Sequence, residues 1–211
     1  MKEPHLKAAT RDADATKASI LDAAEEEFGR YGLQGARTEA IAAQTGVTKA
    51  MIHYYFENKE NLYREVLRRT FSRRSLQIES LNLPAMTPPE ALAAIFRDLL
   101  AEIFKHPTIA SILVFESLQN RGKYYREISV ASLYSPLMEV LERGVAGGYF
   151  CPKLDPRHTS VNLVGMAVFY ICSRENLSSL WPDEPDLLSG EIFAGHVETT
   201  VAMVCNAVLR R

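Results

Sequence analysis

Residues 38–56, TEAIAAQTGVTKAMIHYYF, contain the clearest structural pattern in the sequence. Thr38 is placed to cap one short helix, Gly46 supplies a turn, and Thr48 is placed to cap a second helix that ends near Phe56. Two short helices joined by a glycine-containing turn form the helix-turn-helix plan, in which the second helix enters the DNA major groove. Helical hairpins with a purely structural role share this plan, so the geometry alone leaves both alternatives open.

The second helix of this stretch has two chemically different faces. Ile52 and Phe56 lie one turn apart and are expected to pack against the core. On the opposite arc, Lys49 suits guanine O6 and N7, and apolar side chains suit a thymine methyl group. The candidate groove-facing residues are Lys49, Ala50, Met51, His53 and Tyr54. The candidate phosphate contacts, which position the protein without reading sequence, are Thr38, Tyr54, Tyr55 and Lys59.

Helical periodicity continues on both sides of this stretch and strand-like alternation is nearly absent, which predicts an all-α fold. Ile20, Ala24 and Phe28 form an apolar stripe on a first helix that ends near Gly32. Asn58 is placed to cap a fourth helix. After the proline-rich segment 81–89, we expect helices near residues 89–105, 107–119, 123–147, 156–181 and 186–210, with Pro136 inside the third of these.

Charge is distributed unevenly along the chain, although the formal net charge is only -2. Between Arg30 and Arg74 there are nine Lys or Arg residues and four Glu residues. From Leu76 onward there are 11 basic and 15 acidic residues. A basic N-terminal part on an acidic remainder indicates that one part suits an anionic partner. We interpret the stripe of Arg68, Arg69, Arg73 and Arg74 as a solvated helix face rather than a phosphate contact.

The composition excludes several classes of protein. With 211 residues, 47% hydrophobic and 24% charged, the chain is long and apolar enough to build a globular core. No apolar run is long enough for a transmembrane helix, and the N-terminal residues do not resemble a signal peptide, so we expect a cytoplasmic protein. Three scattered cysteines, Cys151, Cys172 and Cys205, predict neither a disulfide framework nor a metal site. Nucleophile, phosphate-loop and zinc motifs are missing, so we expect no enzyme activity and no cofactor.

Residues 16–67 resemble the DNA-binding domain of the TetR family of transcriptional regulators. The residues that carry the resemblance are Ile41-Ala42, Gly46-Val47-Thr48-Lys49, Tyr55-Phe56 and Asn58-Lys59-Glu60 with Leu62. The resemblance implies an all-α homodimer that binds operator DNA through its N-terminal module and a small-molecule effector through its C-terminal helices. It also implies DNA contacts at Arg37, Thr38, Thr48, Lys49, Ala50, Met51, His53, Tyr54, Tyr55 and Lys59. This chain departs from the family pattern at Ala50-Met51 and at His53, which bears on base preference.

We interpret most of the apolar side chains of the C-terminal helices as core residues. The resemblance also implies an effector cavity among them, and Met and aromatic side chains suit an apolar or aromatic ligand. The candidate ligand-binding residues are Phe96, Phe104, Phe115, Tyr134, Met138, Met166, Phe169 and Tyr170. Glu116, Asn120, Asn162 and Arg174 are candidates for an orienting polar contact.

The last two long helices are candidates for a dimer interface. One carries the stripe Val161, Val164, Val168 and Cys172, and the other carries Val197, Val201, Val204 and Val208. Intramolecular core is the alternative reading of both stripes. 

We therefore expect a disordered arm over residues 1–15, a helix-turn-helix domain over 16–62 and a helical ligand-binding and dimerisation domain over 63–211. The expected function is a homodimeric repressor that binds double-stranded operator DNA and is released by an effector. The alternative is a helical protein-interaction or adaptor module that does not bind DNA.

Overall fold

The computed structural model describes residues 4–128, 131–183 and 186–209. Within these ranges the chain forms ten α-helices and no β-strand, which confirms the all-α prediction. The helices are α1 (Pro4–Gly35), α2 (Thr38–Thr45), α3 (Lys49–Phe56), α4 (Lys59–Ser80), α5 (Pro88–Lys105), α6 (Thr108–Asn120), α7 (Lys123–Ile128), α8 (Ala131–Ala146), α9 (Pro156–Leu177) and α10 (Gly190–Val208). Short 3-10 turns at Leu83–Ala85 and Ser178–Leu180 follow α4 and α9.

The structure differs from the sequence predictions at several helix boundaries. Helix α1 begins at Pro4 and so includes most of the segment 1–15, in which we expect a disordered arm. Four alanines within that segment favour the helical state. The helix predicted over 123–147 is instead α7 and α8, and residues 129–130 between them lie outside the described ranges. Helix α10 begins at Gly190 because Asp186 and Ser189 first close a hydrogen-bonded turn, with the Ser189 N–H donating to the Asp186 carbonyl at 2.9 Å.

The chain divides into two compact units. Unit 1 contains the residues up to Thr70 together with Ser111–Ile128, and unit 2 contains Phe71–Ala110 and the described residues from Ala131 onward. This division differs from the expected boundary at residue 63, because α6 from Ser111 onward and all of α7 belong with α1–α3 and the part of α4 up to Thr70. Hydrogen bonds from α6 to α1 and α4, described below, are the physical reason.

The core of unit 1 is built on the apolar stripe of α1. Ile20, Ala24 and Phe28 are fully buried, as the four-residue spacing predicts. The Phe28 ring meets the buried Tyr63 ring of α4 edge-on, with the centroids 4.9 Å apart. Gly32 leaves the helical conformation with φ 66°, so α1 breaks at the glycine where the sequence predicts its end.

Unit 2 is a helical bundle in which α5, α8, α9 and α10 share one core. Val201, Val204 and Val208 of α10 are buried in this core. The alternative reading of the α10 valine stripe, as intramolecular core, is therefore the correct one at these three positions. On α9 the stripe is divided, since Val164 and Val168 are half-buried and Val161 is 59% exposed.

Candidate nucleic-acid interface

Helices α2 and α3 form the predicted helix-turn-helix, and local interactions fix both of them. Gly46 ends α2 in the left-handed conformation at φ 73°, which a glycine adopts without strain. The Thr48 hydroxyl accepts a hydrogen bond from the Met51 N–H at 3.2 Å and so caps α3. The predicted Thr38 cap is wrong, because α2 begins at Thr38 itself and Arg37 takes the cap position without a side-chain hydrogen bond.

Helix α3 divides its side chains between core and solvent as its spacing predicts. Ile52 and Phe56 are buried and attach the helix to unit 1. On the opposite side Tyr54 is 81% exposed and Met51 is 38% exposed. Lys49, Ala50 and His53 are exposed on the same helix. The structure thus brings the five candidate groove-facing residues together on one solvent-facing surface, which we call the α3 surface.

The remaining candidate DNA contacts surround the α3 surface. Arg37 and Thr48 are exposed, Thr38 is half-buried, and the half-buried Tyr55 ring packs edge-on against the Tyr54 ring at a centroid distance of 5.3 Å. A shallow groove between α2 and α3 is lined by residues that include Arg37, Thr38, Lys49, His53 and Lys59.

Two of the lysines are held by other groups. The Lys59 ammonium donates to the Ala36 carbonyl at 3.0 Å and to the Gln34 carbonyl at 3.4 Å, which stabilises the C-terminal end of α1. An ammonium has three N–H donors, so one is left for a phosphate oxygen. The Lys49 ammonium forms an ion pair with Glu39 of α2, and this interaction is the main cause that lowers the pKa of the Glu39 carboxyl. Glu39 is a residue of this surface that the sequence did not predict, since the predicted site residues are all cationic or neutral.

The α4 arginines are ion-paired rather than freely solvated. Arg69 binds Asp22 at 2.7 Å and Glu25 at 2.9 Å, both on α1. Arg73 donates to the buried Glu102 at 3.0 Å, Arg74 pairs with Asp98, and Arg68 pairs with Glu65 on its own helix at 2.5 Å. The interpretation of a solvated face is therefore wrong for Arg69, Arg73 and Arg74. Acidic residues outside the counted segment neutralise much of its basic excess.

Glu116 on α6 is the centre of a buried polar network in unit 1. Its side chain is fully buried, and one carboxylate oxygen accepts from the Tyr124 N–H at 2.7 Å. The other oxygen accepts from Tyr63 Oη at 3.1 Å and from Asn120 Nδ2 at 2.6 Å. Burial and the Glu116 charge raise the pKa of Tyr63, so its hydroxyl stays protonated and donates. With these partners, Glu116 and Asn120 serve the fold of unit 1 and not the predicted orientation of a ligand.

Gln119 lies one turn after Glu116 on α6 and forms hydrogen bonds with α1 close to the break at Gly32. Its Oε1 accepts from the Gln34 N–H at 3.1 Å, and its Nε2 donates to the Tyr31 carbonyl at 3.3 Å. A Cβ atom at Gly32 would come within 2.3 Å of Gln119 Oε1, so the glycine provides both the backbone angle and the space. No short-range sequence signal identifies this contact, because the partners are 85 residues or more apart.

The eight candidate ligand-binding residues are divided between the two units. Phe115 is in unit 1 and the other seven are in unit 2. In unit 2, Phe96 is buried in the core, whereas Phe169 is 62% exposed on α9. Tyr134, Met138 and Met166 are half-buried.

Two candidate residues of unit 2 belong to an aromatic cluster on α5, α9 and α10. Phe104 stacks on Phe193 with centroids 4.5 Å apart, and Tyr170 stacks on His196 at 3.6 Å. The Tyr170 hydroxyl donates to the Leu187 carbonyl at 2.9 Å. A separate open groove is lined mainly by residues of α4 and α8, including Ile78, Glu79, Pro136, Glu139 and Arg143, and contains none of the eight candidates.

A helix-turn-helix whose second helix exposes Lys49, Met51 and His53, in a chain that also forms a helical bundle, is the arrangement of a DNA-binding transcriptional regulator. Residues 20–66 match the family described as bacterial regulatory proteins, tetR family, and residues 88–204 match the tetracyclin repressor-like C-terminal domain. The chain belongs to the TetR family of transcriptional regulators.

Individual relatives agree with this assignment. The chain is 30% identical over 178 residues to the HTH-type transcriptional repressor NicS of Pseudomonas putida, covering 80% of this chain and 82% of that protein. In fold it is similar to the putative transcriptional regulator SCO4942 from Streptomyces coelicolor, with a TM-score of 0.72 and 21% identity. The match covers 93% of this chain and 99% of that protein. It is also similar in fold to the regulator FadR from Bacillus subtilis in complex with stearoyl-CoA, with a TM-score of 0.70 and 19% identity. That match covers 90% of this chain and 98% of FadR. NicS is a transcriptional repressor, which favours DNA binding over the adaptor alternative, and the two solved structures show the shared fold.

Among the described residues, no helix combines the length and the hydropathy required to cross a membrane.

Proposed function

We propose that this protein is a cytoplasmic repressor that binds a pseudo-palindromic operator as a homodimer and is released by a small apolar or aromatic effector. The α3 surface carries the proposal. Its exposed Lys49, Met51 and His53 are available to base edges, while Ile52 and Phe56 hold the helix from behind. The name of the NicS relative as a repressor supports the negative direction of regulation.

An exposed apolar face on α9, together with an exposed Met203 on α10, supports the proposed homodimer. Val161 and Phe169 are two helical turns apart on α9, with Gly165 between them, and Met203 of α10 is 55% exposed. A second copy that packs its own α9 and α10 on this face would form a four-helix interface with two-fold symmetry. A dimer would carry two helix-turn-helix motifs and contact two half-sites, which would explain how such a short recognition helix achieves sequence specificity.

The proposed effector class rests on the aromatic and Met content of unit 2. The solved Bacillus subtilis FadR holds stearoyl-CoA, so the fold accepts an apolar chain in that protein. Phe104, Tyr134, Met138, Met166 and Tyr170 remain the proposed lining residues. Release from DNA requires that the effector bind one conformer more tightly than the other, typically by about 1 to 3 kcal/mol.

A gel-shift series with the DNA upstream of the protein's own gene, repeated at several salt concentrations, tests the function. We expect specific retardation that weakens as salt rises. Replacing Lys59 by Met is expected to weaken binding to all duplexes and to lower the salt slope by roughly one unit. Replacing Met51 by Ala is expected to change which sequence is preferred. Equal affinity for every duplex in the wild type would contradict the proposal.

The effector is tested by adding acyl-CoAs and aromatic acids to the preformed protein–DNA complex. Release of DNA, together with a raised melting temperature of the free protein, is the expected result for a true effector. A melting shift without release would show binding that is not coupled to DNA.

A further inference from the structure

Glu39 is an acidic side chain beside the α3 surface, and it is the one that pairs with Lys49. We propose that Glu39 is a specificity-determining residue that acts by positioning Lys49, an inference that rests on the proposed DNA-binding function. Glu39 restrains the Lys49 ammonium and repels phosphates, and so weakens binding to wrong sequences more than to the operator.

The contact joins the first turns of the two helices of the motif. Glu39 is the second residue of α2 and Lys49 is the first residue of α3, so their ion pair spans the turn between the helices. The Thr38 hydroxyl approaches the other Glu39 oxygen at 3.5 Å. Both charged side chains line the groove between α2 and α3 together with Arg37, His53 and Lys59.

Stability does not explain this ion pair. The two side chains are 64% and 55% exposed, and exposed pairs of this kind contribute little to folding. Removing the carboxylate is therefore expected to leave the fold unchanged. Its position on the DNA-facing side is where a charge has its largest effect on association with a polyanion.

Lysine alone discriminates poorly between sequences, because its ammonium is a point charge on a flexible stem and any phosphate attracts it. Pairing with Glu39 fixes the ammonium above the start of α3 and reduces its attraction to phosphates. At the operator, the held ammonium donates to guanine O6 and N7, which offsets the repulsion between the carboxylate and the backbone. At other sequences the repulsion is not offset. Discrimination by a repulsive element of this type is a general route to specificity.

The experiment compares wild type, Glu39→Gln, Lys49→Met and the double variant. One duplex is selected by the wild type from a randomised library, and the other is a scrambled duplex of equal length and composition. Fluorescence anisotropy measures both affinities between about 50 and about 250 mM salt, a range over which phosphate contacts are strongly weakened. Glu65→Gln is the matched control, since it removes a carboxylate that is partly exposed and also ion-paired, here with Arg68 on α4.

We expect Glu39→Gln to raise affinity for the scrambled duplex by about five- to tenfold and for the selected duplex by about twofold or less. The salt slope on the scrambled duplex should steepen by roughly one unit as Lys49 becomes free to contact a phosphate. In the Lys49→Met background the substitution should have a much smaller effect on the ratio of affinities. The melting temperature should not change.

Three outcomes would overturn the inference: an equal change on both duplexes, an undiminished change in the Lys49→Met background, or the same change from Glu65→Gln. Each of them would leave wild-type DNA binding intact. A wild type that selects no sequence from the library would instead contradict the proposed function itself, and this inference with it.

Discussion

At the scale of single residues, Glu116 is the most consequential side chain that the structure reveals. It is buried, and its two carboxylate oxygens accept hydrogen bonds from Tyr63 of α4, Asn120 of α6 and Tyr124 of α7. Replacing it by Gln keeps one acceptor oxygen but turns an amide N–H toward the Tyr63 or Asn120 donor. We expect the free energy of unfolding to fall by about 2 kcal/mol, the scale of a hydrogen bond to a buried charge.

Urea denaturation followed by circular dichroism measures this loss. Tyr63→Phe removes only one donor and should cost about 1 kcal/mol. The control is Glu139→Gln on the exposed side of α8, which should change stability by less than about 0.5 kcal/mol. Equal effects of Glu116→Gln and Glu139→Gln would contradict the structural role.

His196 makes stability depend on pH. Burial lowers its pKa, and its buried Nε2 atom has no hydrogen-bond partner among the described residues. The folded protein therefore keeps the imidazole neutral to a lower pH than the unfolded chain, which takes up a proton below its ordinary pKa of 6.5. Stability should be constant above that pH and should fall as the pH drops below it. Melting temperatures measured between about pH 7.5 and about pH 5.5 should show this fall in the wild type.

His196→Phe, which keeps a ring on Tyr170, should remove most of that dependence. His158→Gln, on the exposed start of α9, should preserve it. The carboxyls whose pKa is lowered, such as those of Asp155 and Glu198, lose their contribution only at lower pH, as each takes up a proton. A fall that persists unchanged in His196→Phe would assign the effect to other groups.

At the scale of helices, Thr38 and Thr48 are the two threonines that the sequence predicts as helix caps, and only one of them forms a capping hydrogen bond. Thr48 accepts the Met51 N–H, whereas Thr38 makes no capping bond. Thr48→Ala should therefore lower the free energy of unfolding by about 1 kcal/mol, and Thr38→Ala by only a few tenths. Thermal denaturation of the two variants under identical conditions is the measurement. A larger loss from Thr38→Ala would show that the cap lies at α2 in solution.

The same helices show what sequence could and could not predict. Local signals were sufficient for the turn at Gly46, for the buried face of α3 and for the ends of α5, because each depends on neighbours within one or two turns. The unit boundary was not predictable in this way. It depends on hydrogen bonds between Glu116 and Tyr63 and between Gln119 and Tyr31, whose partners are 53 and 88 residues apart in the sequence. Helical periodicity does not predict contacts between residues so far apart. The α10 valines were ambiguous for a related reason, since an apolar stripe looks alike whether it faces its own core or another subunit.

At the scale of the whole molecule, the proposed homodimer predicts that one exposed face controls both assembly and DNA binding. Phe169→Glu places a charge in the middle of the apolar α9 face, where a partner would have to desolvate it. We expect this variant to sediment as a 23.6 kDa monomer at micromolar concentration with an unchanged circular dichroism spectrum. Operator affinity should fall by about 10²-fold or more, because each monomer reads only one half-site.

The control is Leu180→Glu, which alters a side chain of similar exposure just after the end of α9. This variant should remain dimeric and keep full operator affinity. If Phe169→Glu stayed dimeric, the α9 face would not be the interface. If it became monomeric with unchanged affinity, assembly and DNA binding would be independent.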